Sequence, residues 1–208
     1  MKKEDVQVLV GETLENKTIV NTVDKRYITI KEPIGSGQYG SIYHARDEQH
    51  FNDSLVIKIS EDHRVLKNEI KALLRINKNK FEASGLVPVV NTYGHFIHRK
   101  SELSSPQEDI KYFYYVMPYF GTTNLEQLVA KTKLNERSII SLAIKMMDAV
   151  KIVHKAGYVY NDLKLDNILV SSKAGLEDDL SALESAQIHL VDFGFASKYY
   201  NSHKTAEG

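Results

Sequence analysis

The chain has 208 residues, room for one sizeable core or for one small and one medium lobe. Its 42% hydrophobic and 26% charged residues are the balance of an ordinary soluble globular protein. Lysine plus arginine and aspartate plus glutamate both number 27, which argues against a broad basic footprint for nucleic acid or membrane, and the lack of cysteine excludes a disulfide framework and cysteine–zinc sites.

Met1 to Val10 carry Lys2, Lys3, Glu4 and Asp5 and no long apolar core, so no signal peptide is expected. No apolar stretch approaches the roughly 18 residues of a membrane span. Residues 1–26 are mixed and polar, a tail or a loosely attached strand. The pattern sharpens at Tyr27–Lys31, which alternates like a half-buried strand. Glycines follow at Gly35, Gly37 and Gly40, and Ser41–Ala45 reads as the returning strand. Leu55–Ile59 is a third strand, apolar except for Lys58. Residues 62–77 read as a helix with Leu66, Ile70, Leu73 and Leu74 on one face. Val87–Val90 and Tyr112–Met117 are strand candidates, separated by the polar loop Arg99–Asp109. Asn124–Lys131 is a short helix. Asn135–Lys155 is a longer one, apolar nearly all round and therefore expected to be buried. Two short strands, Asn167–Val170 and Ile188–Val191, flank the acidic linker Leu176–Ser185. The strand-rich first half and helix-rich second half are expected to join near Pro118–Gly121.

Five groups of residues carry chemistry. Gly35-Ser36-Gly37-Gln38-Tyr39-Gly40 lets a hairpin close over phosphates with its N–H groups free. Taken alone it is equally a glycine-rich turn, but strand lies on both sides, which disfavours the strand–loop–helix of a dinucleotide site. Lys58 sits in an apolar strand, where an ammonium needs partners unless it snorkels out from an edge. Glu69 lies three residues after Leu66 and four before Leu73, which places a carboxylate in the apolar face of its helix. It is the natural partner for Lys58; Glu61, the competitor, lies at the helix start, where an acid is expected for capping. In Tyr158–Val170, Asp162 and Asn167 stand five apart with Lys164 and Asp166 between them. Such a loop can present a base, a cation and an oxygen metal ligand at one point, or be a solvated turn. Asp192, before Phe193-Gly194, is a turn residue or a magnesium carboxylate.

Together and in this order, the Gly35–Ile42 loop, Lys58, Glu69, Asp162–Asn167 and Asp192–Gly194 resemble the protein kinase signature set from about Tyr27 to Tyr199. Within that superfamily, Tyr115–Gly121 and Asn124–Leu128 are similar to the hinge and following helix of the casein kinase 1 group. The resemblance implies an α+β, two-lobe fold: a tail over 1–26, an antiparallel-sheet N-lobe over 27–117, and a partial helical C-lobe over 118–208 that ends within the activation segment. It implies a protein serine/threonine kinase using ATP and Mg2+. Gly35, Ser36, Gly37, Gln38, Tyr39 and Gly40 would cover the phosphates, and Lys58, held by Glu69, would contact the α- and β-phosphates. Ile34, Ile42 and Val56 would pack on adenine, Met117 matches the gatekeeper, and the backbone of Pro118 and Phe120 would bind the adenine edge. Asp162 would orient or deprotonate the substrate hydroxyl, Lys164 would sit beside the γ-phosphate, and Asn167 and Asp192 would hold magnesium. The implied partner is a protein with a serine or threonine hydroxyl, not nucleic acid or membrane, and the implied location is the cytoplasm or nucleus.

Three departures qualify the resemblance. Tyr160-Asn161 replace the usual His-Arg; the tyrosine can support the loop by packing, while the lost arginine argues against switching by loop phosphorylation. The stretch from Asn167 to Asp192 is about a dozen residues longer than the family pattern. Gly208 falls 14 residues after Gly194, with no Ala-Pro-Glu-like stretch. The expectation is a chain weakly stable or weakly active alone, with an apolar patch on 135–155 that a partner would cover. The alternatives are a catalytically inactive ATP-binding or interaction module and a small-molecule kinase, which the complete glycine loop and Asp192-Phe193-Gly194 disfavour.

Overall fold

Alternating apolar residues and close turns build a six-stranded antiparallel sheet in the first half of the chain. The computed structural model describes residues 18–19, 27–37, 40–47, 52–78, 85–98, 110–171 and 184–199. The sheet comprises β1 (Thr18–Ile19), β2 (Tyr27–Gly37), β3 (Gly40–Asp47), β4 (Asn52–Ser60), β5 (Thr92–His98) and β6 (Ile110–Pro118), in the order β1-β2-β3-β4-β6-β5. Backbone contacts divide the chain into one unit of Met1–Ile70 with Val89–Tyr119 and a second of Lys71–Pro88 with Phe120–Gly208.

In the first unit the register sorts side chains by face. Tyr43 faces Ile57, which faces Val116; Ser41, Ile59 and Tyr114 form the next such row. With Ala45, Leu55 and Tyr112, the apolar members of these rows make a buried cluster on one face. The alternate residues fall on the other face: Ile42 opposite Lys58 opposite Tyr115, and His44 opposite Val56 opposite Met117. A helix, α1 (His63–Ile76), follows β4. Its first N–H groups are capped by Asp62, whose carboxylate accepts from Arg64 N at 2.9 Å and Val65 N at 3.2 Å. The cap is thus one residue beyond Glu61. Leu66, Ile70 and Leu73 are buried as expected, whereas Leu74 is exposed.

Val87–Val90 is not a strand. Val87 and Pro88 are buried in irregular backbone, and β5 begins at Thr92 instead. Proline brings no ladder N–H, and the Pro88 carbonyl is taken by Asn77 Nδ2 at 2.7 Å. The expected loop 99–109 and residues 176–183 of the acidic linker lie outside the described residues, as does most of the 1–26 tail.

The second unit is built on α2 (Leu125–Lys131) and α3 (Glu136–Lys155). Asn124 opens α2 in a capping box with Gln127, at 2.8 and 3.3 Å, and Asn135 caps α3 through Ser138 N at 2.8 Å. The apolar circumference of α3 suggests burial all round, but only the stripe Ser138, Leu142, Ala149 and Val153 is buried. Ile139, Ile140, Ile144 and Met147 are half or more exposed, between 50% and 64%. The helix packs against neighbouring strands of this unit. Those strands form two small antiparallel ribbons, β7 (Tyr158–Val159) with β10 (Ser197–Lys198) and β8 (Ile168–Ser171) with β9 (Gln187–Leu190). Among the described residues, no helix is long and apolar enough to cross a membrane.

Candidate active site

In the first unit, Gly35 pairs with Ile42 and Gly37 with Gly40 across the β2–β3 hairpin. Gly40 has φ +137°, and a Cβ there would lie 2.3 Å from the Ile59 carbonyl oxygen, so only glycine fits. Ser36 is exposed at the tip, Ile34 and Ile42 are half-buried, and Gln38 and Tyr39 lie outside the described residues. Lys58 is buried in β4, and its Nζ lies 2.8 Å from Glu69 Oε2 of α1, itself fully buried. The structure therefore brings together the lysine and the glutamate that the sequence singled out. Ile42, Val56 and Met117 share the sheet face of Lys58 by register. Pro118 ends β6 opposite Leu55, and Tyr119 N donates to Ser54 O at 3.0 Å, which fixes the chain as it leaves the sheet.

In the second unit, Asp162 is clasped from both sides. Asn167 Nδ2 donates to its Oδ2 at 2.7 Å and to its backbone carbonyl at 3.0 Å, while Lys164 Nζ lies 3.1 Å from the same Oδ2. The hydrogen bond to Asp162 comes first among the causes that hold the Lys164 ammonium above its ordinary pKa; desolvation opposes it, and the charges of Asp162, Asp192 and Asp166 add to it. A 3-10 turn, Leu165–Asn167, delivers Asn167 to this position, and Val191 N donates to Asn167 O at 3.0 Å. That bond holds the residue before Asp192 against the loop. Asp192 has φ 61°, an unusual conformation for an L residue other than glycine.

Among the described residues, no three histidines, cysteines or acids gather as a dedicated metal cage. Magnesium needs none: it keeps waters and takes one or two protein oxygens beside substrate phosphates. The amide of Asn167, whose nitrogen faces Asp162, and the carboxylate of Asp192 are a donor set of that kind.

The protein kinase domain family matches residues 28–208. The chain belongs to the protein kinase domain family. It is 25% identical over 205 residues to the probable serine/threonine-protein kinase FPV212 of fowlpox virus (strain NVSL), covering 93% of this chain and 61% of that protein. It is 27% identical over 186 residues to mitogen-activated protein kinase 12 of Danio rerio, covering 87% of this chain and 44% of that one. Nucleosomal histone kinase 1 of Drosophila melanogaster is 30% identical over 198 residues, covering 90% of this chain and 30% of that protein. The chain thus spans between 30% and 61% of the length of these relatives. The α+β class, an antiparallel-sheet unit and a helical unit, is the one the protein kinase resemblance implied.

Against the kinase pattern, the two replaced residues acquire definite contacts. Tyr160 was expected to support the loop by packing. It does so by an edge contact with Phe193, ring centroids 5.0 Å apart, and its hydroxyl also donates to Val191 O. Asn161, read from the sequence only as a lost arginine, turns the backbone at φ 65° and donates to Phe195 O and Ser197 Oγ. The signal that could have found it is its residue type: asparagine tolerates the left-handed region better than most. Sequence reasoning also passed over His189. Its ring is stacked on Phe120 at 4.0 Å and lies between Ser171 Oγ, 2.8 Å away, and the Gly85 carbonyl.

Proposed function

We propose that this chain transfers the γ-phosphoryl group of Mg-ATP to a serine or threonine hydroxyl of a protein. The observation that carries this reading is Asp162, an acid whose Oδ2 is bonded to Asn167 and Lys164 together. In this reading residues 27–117 are the nucleotide-holding lobe, 118–208 the catalytic-loop lobe, and 1–26 a tail. Gly35 to Gly40 cover phosphates with backbone N–H groups, Lys58 reaches the α- and β-phosphates and is aimed by Glu69, and Ile34, Ile42, Val56 and Met117 flank adenine. The carbonyl of Pro118 and the N–H of Phe120 take the adenine edge. Asp162 orients the acceptor hydroxyl and takes its proton, and Lys164 supplies positive charge beside the transferring group. Asn167 and Asp192 would hold magnesium, which supplies charge neutralisation on the phosphates.

Two finer readings belong here. The hinge Tyr115–Gly121 and the α2 sequence Asn124–Leu128 support placement near the casein kinase 1 group, and a lack of cysteine fits the cytoplasm or nucleus. The test is transfer of labelled γ-phosphate to casein with magnesium, wild type beside Asp162→Asn. The expected result is transfer that falls by about 10²–10⁴-fold in the variant. No transfer from either, with Mg-ATP still raising the melting temperature, would replace this reading with that of a nucleotide-binding module. Transfer to small alcohols but not to casein would replace it with a small-molecule kinase.

A further inference from the structure

Asn161 holds a left-handed backbone at φ 65°, which asparagine tolerates better than most residues. Its side chain reaches far along the chain: Asn161 Nδ2 donates to Phe195 O at 3.1 Å and to Ser197 Oγ at 2.8 Å. The same stretch is then sewn down further. Ser197 pairs with Val159 and Lys198 with Tyr158. Tyr199 N donates to Gly157 O at 3.1 Å and Tyr199 Oη to His154 O at 2.7 Å. Each of these bonds joins neutral groups, so none needs a phosphate or a charged partner.

We propose that Asn161 is a positioning residue, a neutral clasp that holds residues 195–197 against the loop carrying Asp162 and makes that arrangement independent of phosphorylation. Asn161 directly precedes Asp162, and Phe195 follows Asp192 by three residues, so one amide ties together the two stretches that carry the carboxylates. The catalytic consequence rests on the kinase reading above; the clasp itself does not.

Asn161→Asp and Asn161→Gly test it. Aspartate has the same shape and tolerates the left-handed backbone but turns the donor into an acceptor facing the Phe195 carbonyl. Glycine takes the conformation freely and removes the amide. The whole chain is treated with phosphatase, and kcat, KM for Mg-ATP, melting temperature and amide hydrogen exchange are measured. Wild type is expected to keep its activity after phosphatase. Both variants should lose kcat by on the order of tenfold with KM unchanged, because about two neutral hydrogen bonds are lost away from the nucleotide. Exchange over 195–199 should quicken in both while β6 stays protected. Wild-type kcat in either variant, or loss of wild-type activity on dephosphorylation, overturns the proposal. Should no form transfer phosphate, the kinase reading fails and exchange alone decides: quickened exchange over 195–199 keeps the clasp, unchanged exchange removes it.

Discussion

The ammonium of Lys58 and the carboxylate of Glu69 lie 2.8 Å apart, both buried, one on the middle of a strand and the other on the helix that follows it. Neither charge would be tolerated there alone. Breaking such a pair from one side strands the other charge and costs about 3–5 kcal/mol, whereas replacing both with apolar residues of similar size is close to neutral. Glu69→Leu and Lys58→Met are each expected to lower the urea midpoint strongly, and the double variant less than either. Additive losses would show that the two charges are not paired in solution. On the function proposed above, phosphate transfer should also be lost in Lys58→Met.

Gly40 and Gly121 both have positive φ, +137° and +97°, but differ in the space around them. A Cβ on Gly40 meets the Ile59 carbonyl oxygen at 2.3 Å; one on Gly121 meets nothing within 4 Å. Gly121→Ala should therefore cost only the backbone strain, about 1–2 kcal/mol, and Gly40→Ala more than about 3 kcal/mol. Thermal melts of the two variants compare them directly; equal losses would mean that the β3–β4 contact relaxes and the steric account of Gly40 is wrong.

Tyr160 contributes two separable contacts, a ring against Phe193 and a hydroxyl to Val191 O. Tyr160→Phe keeps the ring and leaves one carbonyl without that donor, a loss of about 1 kcal/mol, while Tyr160→Ala should cost about 3–5 kcal/mol. Chemical denaturation that finds the two variants alike would show that the ring contact carries no weight.

Burial pushes the His189 imidazole below its ordinary value of 6.5, partly countered by the hydrogen bond to the Gly85 carbonyl. The folded chain therefore binds the proton less readily than the unfolded one. Stability from this group is complete above about pH 6.5 and is lost as pH falls below it, down to the folded-state value. The melting temperature is expected to drop between pH 7 and pH 5, and His189→Gln, though less stable at pH 7, should drop less over that range. A variant with the wild-type pH dependence would assign the effect to other groups.

Much of the fold was legible in the sequence because its signals are local. The apolar run Tyr112–Met117 and the spacing of Leu66, Ile70 and Leu73 act over a few residues, and β6, α1, α2 and α3 appear where they were expected. Glu69 was legible too, since a carboxylate in an apolar helical face has few other uses. Val87–Val90 misled because apolar content says nothing of what a proline carbonyl will bond to.

The sequence by itself determined the α+β class, the kinase motifs and the identity of the groups that could do the chemistry. Tertiary structure alone decided how those groups are aimed: that Asn167 spends its amide nitrogen on Asp162, that Asn161 reaches Phe195 and Ser197, and that α3 buries a single stripe while Ile139, Ile140, Ile144 and Met147 face outward. The physical reason is range. Propensity, capping and periodicity are properties of neighbours in the chain, whereas a hydrogen bond across 34 or 36 residues, or the choice of which apolar face to cover, depends on what the rest of the fold brings alongside.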